Sequence, residues 1–293
     1  MTAALGSRFN VTEDELRVVA QRVGIQSLPA VLAIRLRHGT DEALDAAIDR
    51  ATGMLVSRGL IVDGVVAEEL LELLQVLQRP DRELAMRVVT PDGISRVSVA
   101  RRGTRLVAGR RIGDDIELRG IAGEARLEAA IAALVAELPR AAAAQITPVG
   151  APQQEMSERL SGTHDAAELA DRIRALGADS QTAMLLGSAL GSRAAFAEIV
   201  YYALSAEDDR IARAPAAIGI FYTKRGRIVG APSTSPNGEI WSTLKPGSDH
   251  TIGQAIRQLV ELSDEGWGQR KSRRCIISAR NRLTKQSPTI RRN

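Results

Sequence analysis

The sequence predicts an α+β protein: two similar halves related by a pseudo-two-fold axis, with a central, mostly antiparallel sheet flanked by helical bundles. Three observations predict it. Apolar and polar residues alternate over 84–120 and again over 217–244, with breaks at short turn-forming clusters. Each alternating stretch follows helical periodicity and precedes one amphipathic helix. The two stretches also resemble each other: Arg101-Arg102-Gly103-Thr104-Arg105-Leu106-Val107 stands beside Thr223-Lys224-Arg225-Gly226-Arg227-Ile228-Val229, and the closing helices rhyme over 130–138 and 255–262. A duplicated helices–strands–helix unit follows, and two copies can bury their sheet faces together.

The elements read in order as follows. Arg8-Phe9-Asn10-Val11 is a short strand. Thr12 is an N-cap, and Glu15 three residues on completes a capping box. Leu16, Val19, Ala20 and Val23 then form a helical stripe that stops near Gly24. A second helix starts after Thr40-Asp41 and ends at Arg58-Gly59, before the turn Asp63-Gly64. A third spans 67–78 until Pro80 stops it, since proline cannot continue the ladder. Residues 84–120 form a four-stranded meander broken at 91–93, 102–103 and 113–114, with Met86, Val88, Val97, Val99, Leu106, Ile116 and Leu118 expected on one face. A helix over 123–138 closes the first half. In the second half helices are expected over 155–160, 165–176 and 180–204, strands over 217–244, and a last helix from Ser248-Asp249. The expected organisation is an N-terminal half over 1–139, an Ala/Pro/Gly-rich linker over 140–154, a C-terminal half over 155–266 and a flexible basic tail over 267–293.

Composition narrows the chemistry. The chain has 293 residues, 44% of them apolar, enough for one large or two modest cores. One cysteine, Cys275, excludes a disulfide framework and CxxC zinc or redox motifs. Three isolated histidines leave little for a metal site. No uncharged run approaches the ~18 residues that span a bilayer, and no secretory signal is visible, so a soluble cytoplasmic protein is expected. The formal charge is +4, yet the segment from Gln269 holds nine basic residues and no acid. Removing those nine from 39 basic residues leaves 30 against 35 acids, so the body before it carries −5.

No catalytic or cofactor motif emerges. There is no phosphate-cradling Gly loop before Lys-Ser/Thr and no GxGxxG after a strand. Gly187-Ser188-Ala189-Leu190-Gly191 places its serine one position early for a nucleophile elbow. Ser161 with His164-Asp165 reads as a helix cap before it reads as a nucleophile and base. The acids Asp114, Asp115 and Glu117 lack the ligand spacing of a hard-cation loop. No cofactor and no small-molecule substrate are expected. Arg96, Arg101, Arg102, Arg105, Arg110 and Arg111 form a basic ribbon on the first meander. With the tail they make nucleic-acid binding the alternative function, but the chain has eight aromatics and none between Asn10 and Gly191, so stacking platforms are missing there. An acidic protein partner suits the arginines better.

An ordered series of weak motifs resembles a known family. It comprises the capped Phe9-Asn10-Val11-Thr12 start, Ser27-Leu28-Pro29, Ser57-Arg58-Gly59-Leu60, Leu77-Gln78-Arg79-Pro80 before the meander, and Gly238-Glu239-Ile240-Trp241 with Pro246-Gly247-Ser248-Asp249 before the closing helix. Together these resemble the EspG family of type VII (ESX) secretion-associated proteins of mycobacteria, over about 9–262. The resemblance implies a non-enzymatic cytosolic chaperone that uses no ATP. It implies binding of PE–PPE heterodimers at the PPE tip remote from PE, which keeps them soluble and directs them to the secretion machinery. It also implies contacts from the sheet, a hairpin of the first half and a helical bundle of the second. Here those map to Val89, Pro91, Asp92, Gly93 and Ile94, to Leu169, Ile173 and Leu176, and to Lys224, Arg225 and Arg227 as partners for client acids. No membrane insertion is implied. The cognate pair, the ESX system served and a homodimer of the free chain stay open, and the stretch after Trp267 has no counterpart in the resemblance.

Overall fold

Thr12 ends the first strand and starts the first helix. In the computed structural model, which describes residues 6–35, 38–205, 207 and 209–268, β1 (Arg8–Thr12) runs directly into α1 (Glu13–Arg22). The Glu15 amide donates to Thr12 Oγ1 at 3.2 Å and the Thr12 amide donates to Glu15 Oε2 at 2.8 Å, the expected capping box. After a 3-10 turn (Ala30–Leu32), Thr40 caps α2 (Asp41–Ser57). Asp63 and Gly64 both take positive φ, 49° and 81°, and make the tight hairpin between β2 (Ile61–Val62) and β3 (Val65–Val66). Then follow α3 (Glu68–Gln78) and the meander β4 (Arg82–Thr90), β5 (Gly93–Arg102), β6 (Arg105–Ile112) and β7 (Asp115–Gly120), closed by α4 (Leu127–Val135).

The second half contains β8 (Val149–Pro152), α5 (Gln153–Leu160), α6 (Ala166–Ala175), α7 (Ser180–Gly191), β9 (Ala195–Leu204), β10 (Ile211–Arg213), β11 (Ile218–Thr223), β12 (Gly226–Thr234), β13 (Ile240–Pro246) and α8 (Asp249–Glu261). Among the described residues eleven strands form one sheet in the order β1-β7-β6-β5-β4-β9-β11-β12-β13-β8, with β10 also on β9. Every strand pair in it is antiparallel, so the α+β class holds. Along that order five strands stand on each side of the β4–β9 seam, with β10 added on the β9 side; at the seam Met86 lies opposite Ile199 and Val89 opposite Phe196.

Helices α4 and α8 cover one face of the sheet around Leu84, Met86, Val97, Val99, Ile199, Tyr201, Ile220 and Val229. The other face carries two separate clusters. One packs α1, α2 and α3 on Val11, Ala100, Val107, Ile116 and Leu118. The second packs α5, α6 and α7 on Val149, Ala151, Ile228 and Leu244. Between these two bundles the sheet face is left partly open, and that gap positions the candidate site.

Four expectations change. Residues 180–204 are not one helix: Ser192 caps α7, and Ala195–Leu204 becomes the seam strand. Its β-branched and aromatic residues suit a strand, and an apolar run broken only by Glu198 mimics helical periodicity. Ile116 and Leu118 point to the α1–α3 face, away from Met86 and Val97, because the register pairs Leu118 with Gly109 and Ile116 with Arg111. Residues 140–154 are docked on the sheet: Ala144 is fully buried, its amide donates to the Arg227 carbonyl at 2.9 Å, and Val149–Pro152 pairs with β13. Small residues there allow close backbone approach rather than looseness. Trp267, placed in the basic tail by the sequence, is 5% exposed and belongs to the core. The rest of that tail, from Gln269 on, lies outside the described residues.

Candidate functional site

Strand direction decides which predicted residues meet. β4 and β11 both flank β9, and both run antiparallel to it. Their hairpins, at 91–92 and 224–225, therefore leave the sheet at one edge, with the strands that enter them two strand spacings or about 10 Å apart. Gly93 takes φ 137° to close the first, where Thr90 Oγ1 donates to the Gly93 carbonyl at 3.3 Å. In the second, Thr223 Oγ1 donates to the Gly226 carbonyl at 2.7 Å and Arg225 Nε donates to Ser188 Oγ on α7 at 3.3 Å. Val89, Pro91, Asp92, Gly93, Ile94, Lys224 and Arg225 thus share one edge.

The register aligns an apolar row just inside that edge. Ile94 lies opposite Val89, Val89 opposite Phe196, Phe196 opposite Phe221, and Phe221 opposite Ile228. The Phe196 and Phe221 rings are 5.3 Å apart between centroids and tilted by 48°. Ile94 is 42% exposed; Val89, Phe196 and Phe221 are half-buried, and Ile228 is sealed under the second bundle. The next row on the same face is polar: Arg111, Arg96, Arg87 and Glu198, then Gly219 and Gly230. A Cβ at Gly219 would stand 3.4 Å from the Phe196 ring and 3.5 Å from Phe221, so its absence keeps room beside both rings. A half-exposed apolar row beside a charged one suits a protein segment, with apolar area as the driving force at about 25 cal/mol per Å².

Other predicted residues fall elsewhere. Leu169 and Ile173 have no exposed surface and lie in the core of the second bundle, because the stripe that brings them together is the one α6 turns onto α7 and the sheet. Leu176 is half-buried against the same cluster. Arg227 is 2% exposed and serves the fold: its Nε donates to the Gly247 carbonyl at 2.5 Å, it pairs with Asp249, and it lies 6.0 Å from the Tyr222 ring. The arginine ribbon is divided by the pleat. Arg105 turns to Glu72 at 2.9 Å and Arg111 to Glu13 at 2.6 Å on the α1–α3 face, whereas Arg110 meets Glu137 at 3.2 Å and Arg101 stands over Trp267 on the opposite face. It is not one continuous basic surface.

Sequence reasoning missed Phe196, Phe221, Glu198 and Gly219. The available signal was that seven of the eight aromatics follow Gly191, but reading 195–204 as helix hid the row. Ser161 and His164 carry no nucleophilic geometry: Ser161 Oγ donates to the Glu158 carbonyl at 3.0 Å, and His164 Nε2 lies 3.2 Å from Arg193 Nη2. Among the described residues no group of three or more His, Cys, Asp or Glu is placed to hold a metal ion, and no helix is long and apolar enough to cross a membrane.

Comparison with known proteins bears on the fold and the family. The chain is 28% identical over 294 residues to the ESX-3 secretion-associated protein EspG3 of Mycobacterium tuberculosis, covering 92% of this chain and 97% of that one. It is 26% identical over 260 residues to the ESX-1 secretion-associated protein EspG1 of the same species, covering 87% of each. Among solved structures it is similar to the type VII secretion system chaperone EspG5 of Mycobacterium tuberculosis, determined in complex with a PE25–PPE41 dimer. The TM-score is 0.73 at 19% identity, over 89% of this chain and 98% of that one, a likeness of fold. The EspG family model matches residues 12–258, and the chain belongs to the EspG family.

Proposed function

We propose that this chain is a cytoplasmic, non-enzymatic chaperone that binds the PPE subunit of a PE–PPE heterodimer, keeps the pair soluble and directs it to a type VII (ESX) secretion system. The observation that carries the reading is the half-exposed row Ile94–Val89–Phe196–Phe221, set between two helical bundles at a sheet edge. An exposed apolar patch rimmed by polar residues is a mark of a protein–protein interaction site. Family membership and the chaperone–client complex of the EspG5 neighbour support the class of client. The client's apolar tip covers the row, and Lys224, Arg225 and Asp92 at the rim set orientation and on-rate more than affinity. Translational and ordering costs absorb much of the gain, so affinity rests on the few central side chains.

The deciding test is co-expression with PE–PPE pairs from the same genome, followed by size-exclusion chromatography with light scattering. A 1:1:1 complex, with more soluble PPE protein than without the chain, is expected. Failure with every pair while this chain stays folded would overturn the reading.

A further inference from the structure

Three arginines stand side by side on one face of the sheet, from under α1 out to its open part. Arg87 lies directly opposite Arg96 on the neighbouring strand, and Arg96 directly opposite Arg111 on the next. Like charges directly opposite across strands destabilise a sheet, so this arrangement opposes the fold unless something neutralises it. The outer two are compensated. Arg111 is buried and donates to Glu13 at 2.6 Å and to the carbonyls of Leu32, Ala33 and Gly113 at 2.6–2.9 Å. Arg87 faces Glu198 at 3.8 Å.

The middle one is not compensated. Among the described residues no carboxylate lies within 4.0 Å of Arg96, and its polar contact is the neutral Val31 carbonyl at 3.5 Å. Partial burial, together with Arg87, Arg111 and Arg35, disfavours its charged form. The sheet therefore holds a half-buried cation among cations, an arrangement that an anion arriving from outside would relieve.

Building on the chaperone reading of this edge, we propose that the partner segment received here carries a carboxylate that pairs with Arg96, one side-chain step away from the apolar residue seated on the Val89–Phe196 row. The spacing supports it. Arg96 and Arg87 stand two residues from Ile94 and Val89 on the same face, about 6.8 Å along the strand. An acid three or four residues from an apolar anchor on a helix, where such neighbours are about 5–6 Å apart, spans that step. Only one anion is accommodated. Beyond Arg87 the row continues with Glu198, which repels a polyanion, and then with Gly219 and Gly230, which offer no cation. A carboxylate flanked by apolar side chains fits this site, and a run of phosphates does not.

The test uses the full chain with the PE–PPE pair with which it co-purifies, measuring affinity by calorimetry. Arg96→Gln is expected to weaken binding about 30-fold and Arg96→Glu more, the lower end for truncating one partner of an interfacial charge pair. Arg105→Glu, the same charge change at a residue paired with Glu72, is expected to stay within about twofold, as rim charges do. A client Asp or Glu changed to Arg is expected to restore binding to Arg96→Glu.

A purely structural role would lower the melting temperature of Arg96→Gln. This inference expects that temperature to hold or rise, because a like-charge contact is removed. A lower melting temperature, unchanged affinity, or Arg96-dependent binding of a single-stranded oligonucleotide with no rescuing client acid would each overturn it. If the wild-type chain forms no client complex, the chaperone reading falls as well; an intact complex indifferent to Arg96 overturns this inference alone.

Discussion

Arg227 on β12 donates through Nε to the carbonyl oxygen of Gly247, 2.5 Å away, at the turn that opens α8. Gly247 is required there, since a Cβ would stand 2.8 Å from the Arg227 carbonyl group. The backbone of Arg227 also pairs with Ala142 and Ala144, so one residue joins β12, the segment before β8 and the start of α8. Arg227→Ala leaves the Gly247 carbonyl short of a partner and removes the ion pair with the exposed Asp249. A loss of about 1–3 kcal/mol is expected in urea unfolding, the cost of an unsatisfied buried polar group. Lys224→Ala on the adjacent hairpin is expected within about 0.5 kcal/mol of wild type.

Ile173 and Ile94 separate core from surface. Ile173 is fully buried in the second bundle, whereas Ile94 is 42% exposed at the sheet edge. Ile173→Ala is expected to cost about 2–5 kcal/mol. Ile173→Asp adds the burial of an unpaired charge and is expected to abolish soluble expression. Ile94→Asp is expected to keep the wild-type circular dichroism and melting temperature while weakening the client complex. If Ile94→Asp binds as tightly as wild type, the apolar row is not the contact.

Glu83 gives the fold a pH dependence. Its side chain is buried on the open face beside Ser98, whose hydroxyl donates to Oε1 at 2.7 Å. Burial raises its pKa above the ordinary 4.5, and the Ser98 hydrogen bond offsets this in part. The folded state therefore holds the proton more tightly than the unfolded chain. Its contribution is fully present below about pH 4.5 and is lost as pH rises through the folded value. Glu83→Gln removes the titration, so its stability relative to wild type should grow as pH rises above that point. Urea melts from pH 4 to 8 check this; parallel curves for the two proteins would refute it.

Trp267 is anchored in the core. Its ring lies 6.2 Å from Tyr201 and 5.8 Å from the Arg101 guanidinium, and its Nε1 donates to the Ala125 carbonyl at 3.0 Å. Arg82 holds the preceding residues through the Gly266 carbonyl at 2.6 Å and Glu265 at 3.1 Å. Trp267→Ala is expected to cost about 3–5 kcal/mol, as for other buried aromatics.

Local signals were readable wherever chemistry acts within a few residues. Thr12 with Glu15, Thr40 and Ser248 announced their helices because a cap needs only a side-chain oxygen and the next turn's amides. The hairpins at 91–93, 102–103 and 113–114 followed from turn residues between alternating runs. By contrast, 195–204 reads as helix in sequence because an apolar run broken only by Glu198 hides the strand's alternation, although Phe196, Glu198 and Tyr202 stay partly exposed on the open face. The residues 140–154 were read as linker because composition cannot register that Ala144 has a strand to lie against.

The site divides in the same way. Sequence placed Val89, Pro91, Asp92, Gly93, Ile94, Lys224 and Arg225 on hairpin tips, and the family resemblance singled them out. It also singled out Leu169, Ile173 and Arg227, which the fold buries, since a stripe on a helix looks the same whether it faces a core or a partner.

What the sequence by itself determined is the α+β class, the caps and turns, and the family, all carried by short-range order along the chain. Tertiary structure alone decided that β4 pairs with β9. That pairing joins residues more than a hundred positions apart, sets Val89 against Phe196 and Arg87 against Glu198, and so completes the apolar row and the charged row beside it. Register is a relation between strands, fixed by which faces find cover, and no single stretch of sequence contains it.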